Sequence, residues 1–390
     1  MKTRYWILPA ALLLAATATL PAQTPVVPPA PPAPAVTVPA PEAPPASSQE
    51  AVQRALAWLK AQQKPDGSWS DDRYPALTAL PVWCFAQSDF PGKDEIIKKA
   101  VAFILASRQE DGGFYRVLPG RGGGLSNYNT AICLAALSTL NDPALTPSLL
   151  KARRFLAAAQ YIGDDINSGG MGYDAKSDRP YSDLNNTIWA VEAMRMSEKL
   201  EDLRPAGTAR ADMNWGEVQK YLARCQNGEN AGTNDAGGFS YRPNESKAGV
   251  QTNAQGVVVF RSYGTMTYAG VLSLIYANVD RSDSRVKSAL DWASKHWTLD
   301  ENPGMGQEGR YYFYSILAKA LAASGRQELK VAGQDKPLVW RRELEAKLAG
   351  LQQPGPEKGQ GFWVNNAGRW QESDPVLVTC YTVLALQAGK

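Results

Sequence analysis

The chain is 390 residues long, 44% apolar, with 41 basic and 38 acidic side chains. That length allows one large domain or two ordinary ones with a sizeable core, and the near-balance of charge argues against a nucleic-acid or strongly acidic partner. A single histidine, His296, removes most histidine-based metal sites and any histidine-dependent triad that does not use it.

Residues 1–23, MKTRYWILPAALLLAATATLPAQ, open with Lys2 and Arg4, run apolar from Tyr5 to Leu20, and reach small residues at Ala16-Thr17-Ala18 and Leu20-Pro21-Ala22. This is the pattern of a secretory signal peptide, and the expected location is exported, either periplasmic or secreted. The apolar run is short for a bilayer span and Pro9 interrupts it, so stable membrane insertion is not expected after cleavage. Residues 24–48 are rich in proline and alanine and nearly free of aromatics; they read as an extended, disordered linker. The four cysteines, Cys84, Cys133, Cys225 and Cys380, are widely spaced and match no zinc pattern. Export would permit a disulfide, yet three of them lie in apolar helical stretches where a small buried thiol is common.

From residue 49 to 390 one plan repeats. A helix with apolar positions three and four apart ends near glutamine, a polar loop closes on glycine and an aromatic, and a more apolar helix follows. AVQRALAWLKAQQKPDGSWS (51–70) leads into YPALTALPVWCFAQS, and KKAVAFILASRQEDGGFY (98–115) into SNYNTAICLAALSTL. KARRFLAAAQ (151–160) closes its loop at Gly170-Met171-Gly172-Tyr173, ahead of SDLNNTIWAVEAM (182–194). VQKYLARCQ (218–226), VKSALDWASKHW (286–297) and RRELEAKLAGLQQ (341–353) begin the last three repeats, with turns at Gly237-Gly238-Phe239, Gly304-Met305-Gly306 and Gly361-Phe362-Trp363. A repeat of this size cannot bury its own apolar face, so neighbours must stack. A helix apolar on every side must lie inside. The expected fold is therefore all-α: an α/α toroid, a six-plus-six helical barrel with the apolar second helices inside. Without polar end caps, a closed ring fits better than an open solenoid. The glycine supplies a positive φ, the aromatic packs under the next repeat, and the glutamine binds backbone at a helix end.

These Gln-Gly-aromatic turns, clearest in QQKPDGSW (62–69), RQEDGGF (108–114) and QQPGPEKGQGFW (352–363), resemble those of the squalene–hopene cyclase and protein prenyltransferase β-subunit superfamily, which carries prenyltransferase and squalene oxidase repeats. The resemblance spans residues 49–390. It implies a barrel cavity for an apolar ligand, and each of the superfamily's chemistries meets a departure in this chain. Class II cyclases open an inner helix with Asp-x-Asp-Asp-Thr, where the middle acid protonates an alkene. Here those places hold Asp183, Leu184, Asn185, Asn186 and Thr187, and an amide has no acidic form near neutral pH. Asp183 remains as a catalytic candidate, but aspartate before an apolar run is also an ordinary N-cap. The prenyltransferase zinc site needs a histidine on the last inner helix, where Val378 stands. No metal and no cofactor are expected. The Cys-Gly-Glu-Gln run of complement-like thioester domains is absent from the sequence.

Polar and aromatic residues do gather near the starts of the inner helices. The ligand-binding candidates are Asn127, Tyr128 and Asn129; Asp183, Asn185, Asn186 and Trp189; Arg261 and Tyr263; Arg310, Tyr311 and Tyr312; and Asp374. Tyr268, Tyr314 and Arg121 belong to the same neighbourhood, and 299–309 forms a loop long enough to cover the mouth. Aromatic faces, amides and arginines at one end suit an extended isoprenoid or lipid-like chain, or a partner segment. Two alternatives remain: a carbohydrate lyase pairing Tyr263 with Arg261 or Tyr311 with Arg310, and a divergent terpene cyclase using Asp183. Oligomeric state has no signature in the sequence.

Overall fold

The computed structural model describes residues 45–118, 124–175 and 179–389. The expected signal, most of the linker and Arg121 lie outside the described residues. Within them, twelve α-helices alternate as outer and inner partners: α1 (Ser48–Ala61) with α2 (Pro75–Ala86), α3 (Lys93–Leu105) with α4 (Ser126–Ser138), and α5 (Thr146–Ala159) with α6 (Leu184–Met196). The second half continues with α7 (Trp215–Cys225) and α8 (Gly264–Tyr276), α9 (Ser284–Lys295) and α10 (Arg310–Ser324), and α11 (Trp340–Leu351) and α12 (Pro375–Gln387).

The six even-numbered helices pack in ring order, α2 on α4, α4 on α6, α6 on α8, α8 on α10, α10 on α12, and α12 back on α2. Hydrophobicity explains the sorting. α2 is buried from Pro75 through Phe85 without a break, and α12 from Val376 through Leu386. On α1 only the stripe Ala51, Val52, Ala55, Leu56, Trp58 and Leu59 is buried, the signature of a helix with one face on the core. The sequence expectation of an all-α six-plus-six toroid is met. The strands are three short antiparallel pairs among the described residues; the longest, β1 (Val250–Thr252) with β2 (Val258–Phe260), forms a hairpin in the α7–α8 connection.

The repeated turn works as a three-point clamp. Its glutamine reaches the start of the next outer helix: Gln63 Nε2 donates to the Ile96 carbonyl at 3.0 Å, Gln160 Nε2 to that of Asn214 at 3.2 Å, and Gln226 Nε2 to that of Arg285 at 2.8 Å. Gln352 Nε2 donates to the Ala51 carbonyl at 2.8 Å, which ties the last outer helix to the first and closes the ring. The glycine is required by space as well as by φ. At Gly169 (φ +88°) a Cβ would lie 2.0 Å from the Glu217 carbonyl oxygen on α7, and at Gly67 (φ +90°) 2.4 Å from that of Lys99 on α3.

The third point is threonine. The backbone N–H of Trp69 donates to Thr78 Oγ1 at 3.2 Å, that of Phe114 to Thr130 Oγ1 at 2.9 Å, and that of Met171 to Thr187 Oγ1 at 3.0 Å. Phe239 and Trp363 repeat it onto Thr267 and Thr379, both at 3.1 Å. Each threonine sits in the first turn or so of its inner helix, so the turn locks that helix to its outer partner. Trp69 and Trp363, fully buried, add an indole N–H to the Leu59 and Leu348 carbonyls at 2.7 and 2.9 Å.

Candidate functional site

The N-terminal ends of five inner helices surround a cavity of about 220 Å³. Six tyrosines line it: Tyr128 from α4, Tyr173 and Tyr241 from loops, Tyr263 at the start of α8, Tyr312 from α10 and Tyr381 from α12. Asn185, Thr265, Gln371 and Glu372 are its polar members, Leu125, Met266 and Leu377 its aliphatic ones, and Gly309 and Trp370 complete the wall. Trp370 is 44% exposed and stands at the rim. Trp370 and Gln371 are both left-handed, with φ of 55° and 63°, and hold this short segment against Gly309. A larger depression, about 840 Å³, lies among Lys295, Arg326, Lys330 and Asp335. It is lined largely by charged and polar residues of the end of α9 and the loop after α10, with no aromatic side chain among them.

Carboxylates cap four of the five helix mouths. Asp183 is the N-cap of α6: its Oδ1 accepts the Asn186 N–H at 2.8 Å and its Oδ2 the Asn186 Nδ2–H at 2.8 Å. It is fully buried, and burial pushes its carboxyl up to about 6, against the opposing pull of the Asn186 hydrogen bonds. Asp174 Oδ1 accepts the first N–H of α4, from Ser126, at 2.8 Å, and Asp374 Oδ1 accepts the Val376 N–H of α12 at 2.9 Å. α10 has glycine at its N-cap, and a remote carboxylate serves instead. Glu372 takes the Tyr311 and Tyr312 N–H groups at 3.3 and 2.7 Å and Asn365 Nδ2–H at 2.6 Å. Burial raises its carboxyl as well.

Of the sequence candidates, Tyr128, Asn185, Tyr263 and Tyr312 come together on the cavity wall. Asp183 and Asp374 are occupied as caps. Asn129 bridges repeats, accepting the Ala76 N–H at 3.0 Å and donating to the Gly124 carbonyl at 2.9 Å. Asn127 donates to the Gly172 carbonyl at 2.9 Å, and Asn186 serves the cap of its own helix. Trp189 is buried behind the wall, stacked on Tyr312 with ring centres 6.0 Å apart. Tyr311 is buried beneath Arg310, whose guanidinium lies 5.3 Å from its ring centre. Arg261 is 41% exposed, 3.9 Å from Asp235. Tyr268 is buried, Tyr314 donates to the Leu299 carbonyl at 2.5 Å, and of loop 299–309 only Gly309 reaches the cavity.

Tyr173, Tyr241, Trp370, Glu372 and Tyr381 are the aromatic and charged lining residues that sequence reasoning missed. Tyr381 stands two turns into α12, where helical spacing places it below Leu377, and that signal was available in the sequence. The others arrive from loops, whose course no periodicity fixes.

Behind Trp189 the bore holds an ion pair. Lys319 Nζ on α10 is 2.9 Å from Glu192 Oε2 on α6, both buried, and lies 4.3 and 5.0 Å from the ring centres of Trp83 and Trp189. Among the described residues no group of three or more histidine, cysteine, aspartate and glutamate side chains is placed to hold a metal ion. Cys84, Cys133, Cys225 and Cys380 are buried free thiols.

This ring of paired helices is the α/α toroid, the fold of protein prenyltransferases and type II terpene cyclases. The chain is similar to Candida albicans protein geranylgeranyltransferase-I, solved with GGPP, at 14% identity over 86% of this chain and 90% of that one, with a TM-score of 0.53. It is likewise similar to the type II terpene cyclase of Scytonema, in a variant bound to geranylgeranyl dihydroxybenzoate, at 12% identity over 87% and 96% of the two chains, TM-score 0.51. The ligand-free form of that cyclase gives 11% identity over 87% and 97%, again with a TM-score of 0.51. No protein-family model and no curated protein sequence matches the chain. The resemblance carried by the Gln-Gly-aromatic turns therefore holds for the fold, and at such identity it reaches no further.

Proposed function

We propose that the chain is an exported toroid that binds one end of an extended apolar, isoprenoid or lipid-like ligand in the aromatic cavity at the mouth of its inner ring. The observation that carries this reading is the cavity wall itself: six tyrosines and a tryptophan around about 220 Å³, presenting a mostly apolar surface. Sites for whole small molecules run to roughly 300–1,000 Å³, so a long ligand would seat one end and leave the remainder passing Trp370 at the rim. The solved neighbours with GGPP and a geranylgeranyl compound support an apolar occupant by analogy of fold.

The two enzyme readings find less support. On α6 the residue that lines the cavity is Asn185, an amide, while Asp183 is turned into its cap and does not line it. A lyase needs a cation beside its tyrosine base, and among the described residues no lysine or arginine lines the cavity. Export rests on the signal-like residues 1–23.

The test is solvent extraction of the purified secreted chain with mass spectrometry of what is released, followed by titration of the emptied protein with 1-octanol. A released lipid or saturable octanol binding, lost when Thr265→Trp fills the cavity, is the expected result. No released ligand together with no saturable binding refutes the proposal.

A further inference from the structure

The charge around the cavity says which kind of end it takes. Inner-helix N-termini each present about half a positive charge and would ordinarily attract an anion. Four of those around this cavity are already met by a full carboxylate: Asp174 on α4, Asp183 on α6, Glu372 on α10 and Asp374 on α12. Carboxylate outweighs dipole at every one, and Arg242, the cation whose charge bears on Asp183, is itself met by Glu245 at 3.9 Å, so the mouth is left with a surplus of negative charge. Glu372 is itself part of the lining. The field reaches the wall: beyond the effect of burial, Asp183 raises the hydroxyls of Tyr173, Tyr241 and Tyr263, and Glu372 raises that of Tyr381. These phenols stay neutral, and their ring faces add the negative side of their quadrupoles.

Cations already settle on such rings at the edge of the site. Lys247 Nζ lies 4.4 Å from the centre of Tyr241, and the Arg369 guanidinium 4.4 Å from that of Trp370. Both are paired with acids, Glu245 and Glu308, and neither lines the cavity. Arg310 stands over Tyr311, also outside the lining. The Tyr312 hydroxyl is buried without a partner.

We infer that the end of the ligand seated in this cavity is a positively charged, alkylated ammonium group held by the tyrosine faces and the surrounding carboxylates, with the apolar chain leading outward. Methylated ammonium suits such a cage because it combines charge with an apolar surface and makes no demand for hydrogen-bond acceptors. Phosphate and sulfate ends are excluded by the same carboxylates that cap the helices. This inference rests on the apolar-ligand reading and narrows it.

Three probes of equal chain length separate the two: octyltrimethylammonium, 1-octanol and octyl sulfate, titrated into the full purified chain at pH 8 below their micelle-forming concentrations. The expected order is octyltrimethylammonium at least tenfold tighter than octanol, and octyl sulfate weakest. The preference for the ammonium over octanol should fall several-fold in Tyr381→Leu, and again in Glu372→Gln if that variant retains its helical circular dichroism. Octanol binding as tightly as the ammonium overturns the cation inference and leaves apolar binding standing. Octyl sulfate binding best overturns it as well. Saturable binding of none of the three defeats both readings.

Discussion

Asp183→Asn isolates what the buried carboxylate at the start of α6 does. The side chain is fully buried and its carboxyl is lifted from an ordinary 3.8 to about 6. At about 1.4 kcal/mol for each tenfold in proton affinity, holding it ionised in the folded chain at pH 8 costs about 3 kcal/mol. Because the folded form binds this proton more tightly than the unfolded one, stability on this account rises as pH falls through about 6 and levels off near the ordinary carboxylate range. Asparagine keeps an oxygen for the Asn186 N–H and carries no charge. The Asn186 amide must turn over, since its Nδ2 now faces the carboxylate at 2.8 Å while its Oδ1 is buried without a partner. The reversed amide would then accept from the new one. Losing a charge-assisted bond gives back about 1 kcal/mol, so the variant should be about 1–2 kcal/mol more stable than the parent at pH 8. That advantage should vanish by about pH 4. Urea denaturation followed by circular dichroism at both pH values reads it directly. A variant less stable at pH 8, or an advantage independent of pH, would refute the account of a cap under desolvation.

Two further pairs of substitutions probe the scaffold. Gly169→Ala places a Cβ 2.0 Å from the Glu217 carbonyl oxygen and should cost about 3 kcal/mol or more, whereas Gly249→Ala, at φ +91° with open space around it, should cost only about 1–2 kcal/mol in a denaturation midpoint. Lys319→Met strands the Glu192 carboxylate in the bore and should cost about 3–5 kcal/mol, while the double variant with Glu192→Leu should recover most of it in the same melt.

The toroid was legible because its signal is repeated. Six turns of glycine and a large side chain, five of them preceded by glutamine and each followed by a helix apolar all round, leave little choice but two concentric rings. The roles of glycine and glutamine could be read from residue chemistry, although the glutamine proved to bind the next repeat rather than only its own helix end. The threonine contact was present in the sequence as Thr78, Thr130, Thr187, Thr267 and Thr379 but had no periodicity to announce it, since its distance from the aromatic varies with the loop between them. The site was legible where it lies on helices, as with Tyr128, Asn185 and Tyr312. It was hidden where loops build it: Glu372 caps a helix that begins some sixty residues earlier in the chain, a partnership that only the folded ring creates. Arg261 and Arg310, paired with nearby tyrosines in the sequence reading, lie outside the cavity lining.

The bond from Gln352 to Ala51 has a consequence for how such a protein can vary. A stack of repeats with free ends can gain or lose a unit at either end, and its length is open to drift. A hexagon cannot: a seventh pair would have to break the seam and change the angle at every other joint, and a fifth would leave a gap where α12 meets α2. Novelty is thus pushed into the connections between pairs. The connection from α7 to α8 is among the long ones; it holds the β1–β2 hairpin and delivers Tyr241 and Tyr263 to the cavity. In this architecture the number of helices is fixed by closure, and the contents of the mouth are free to change.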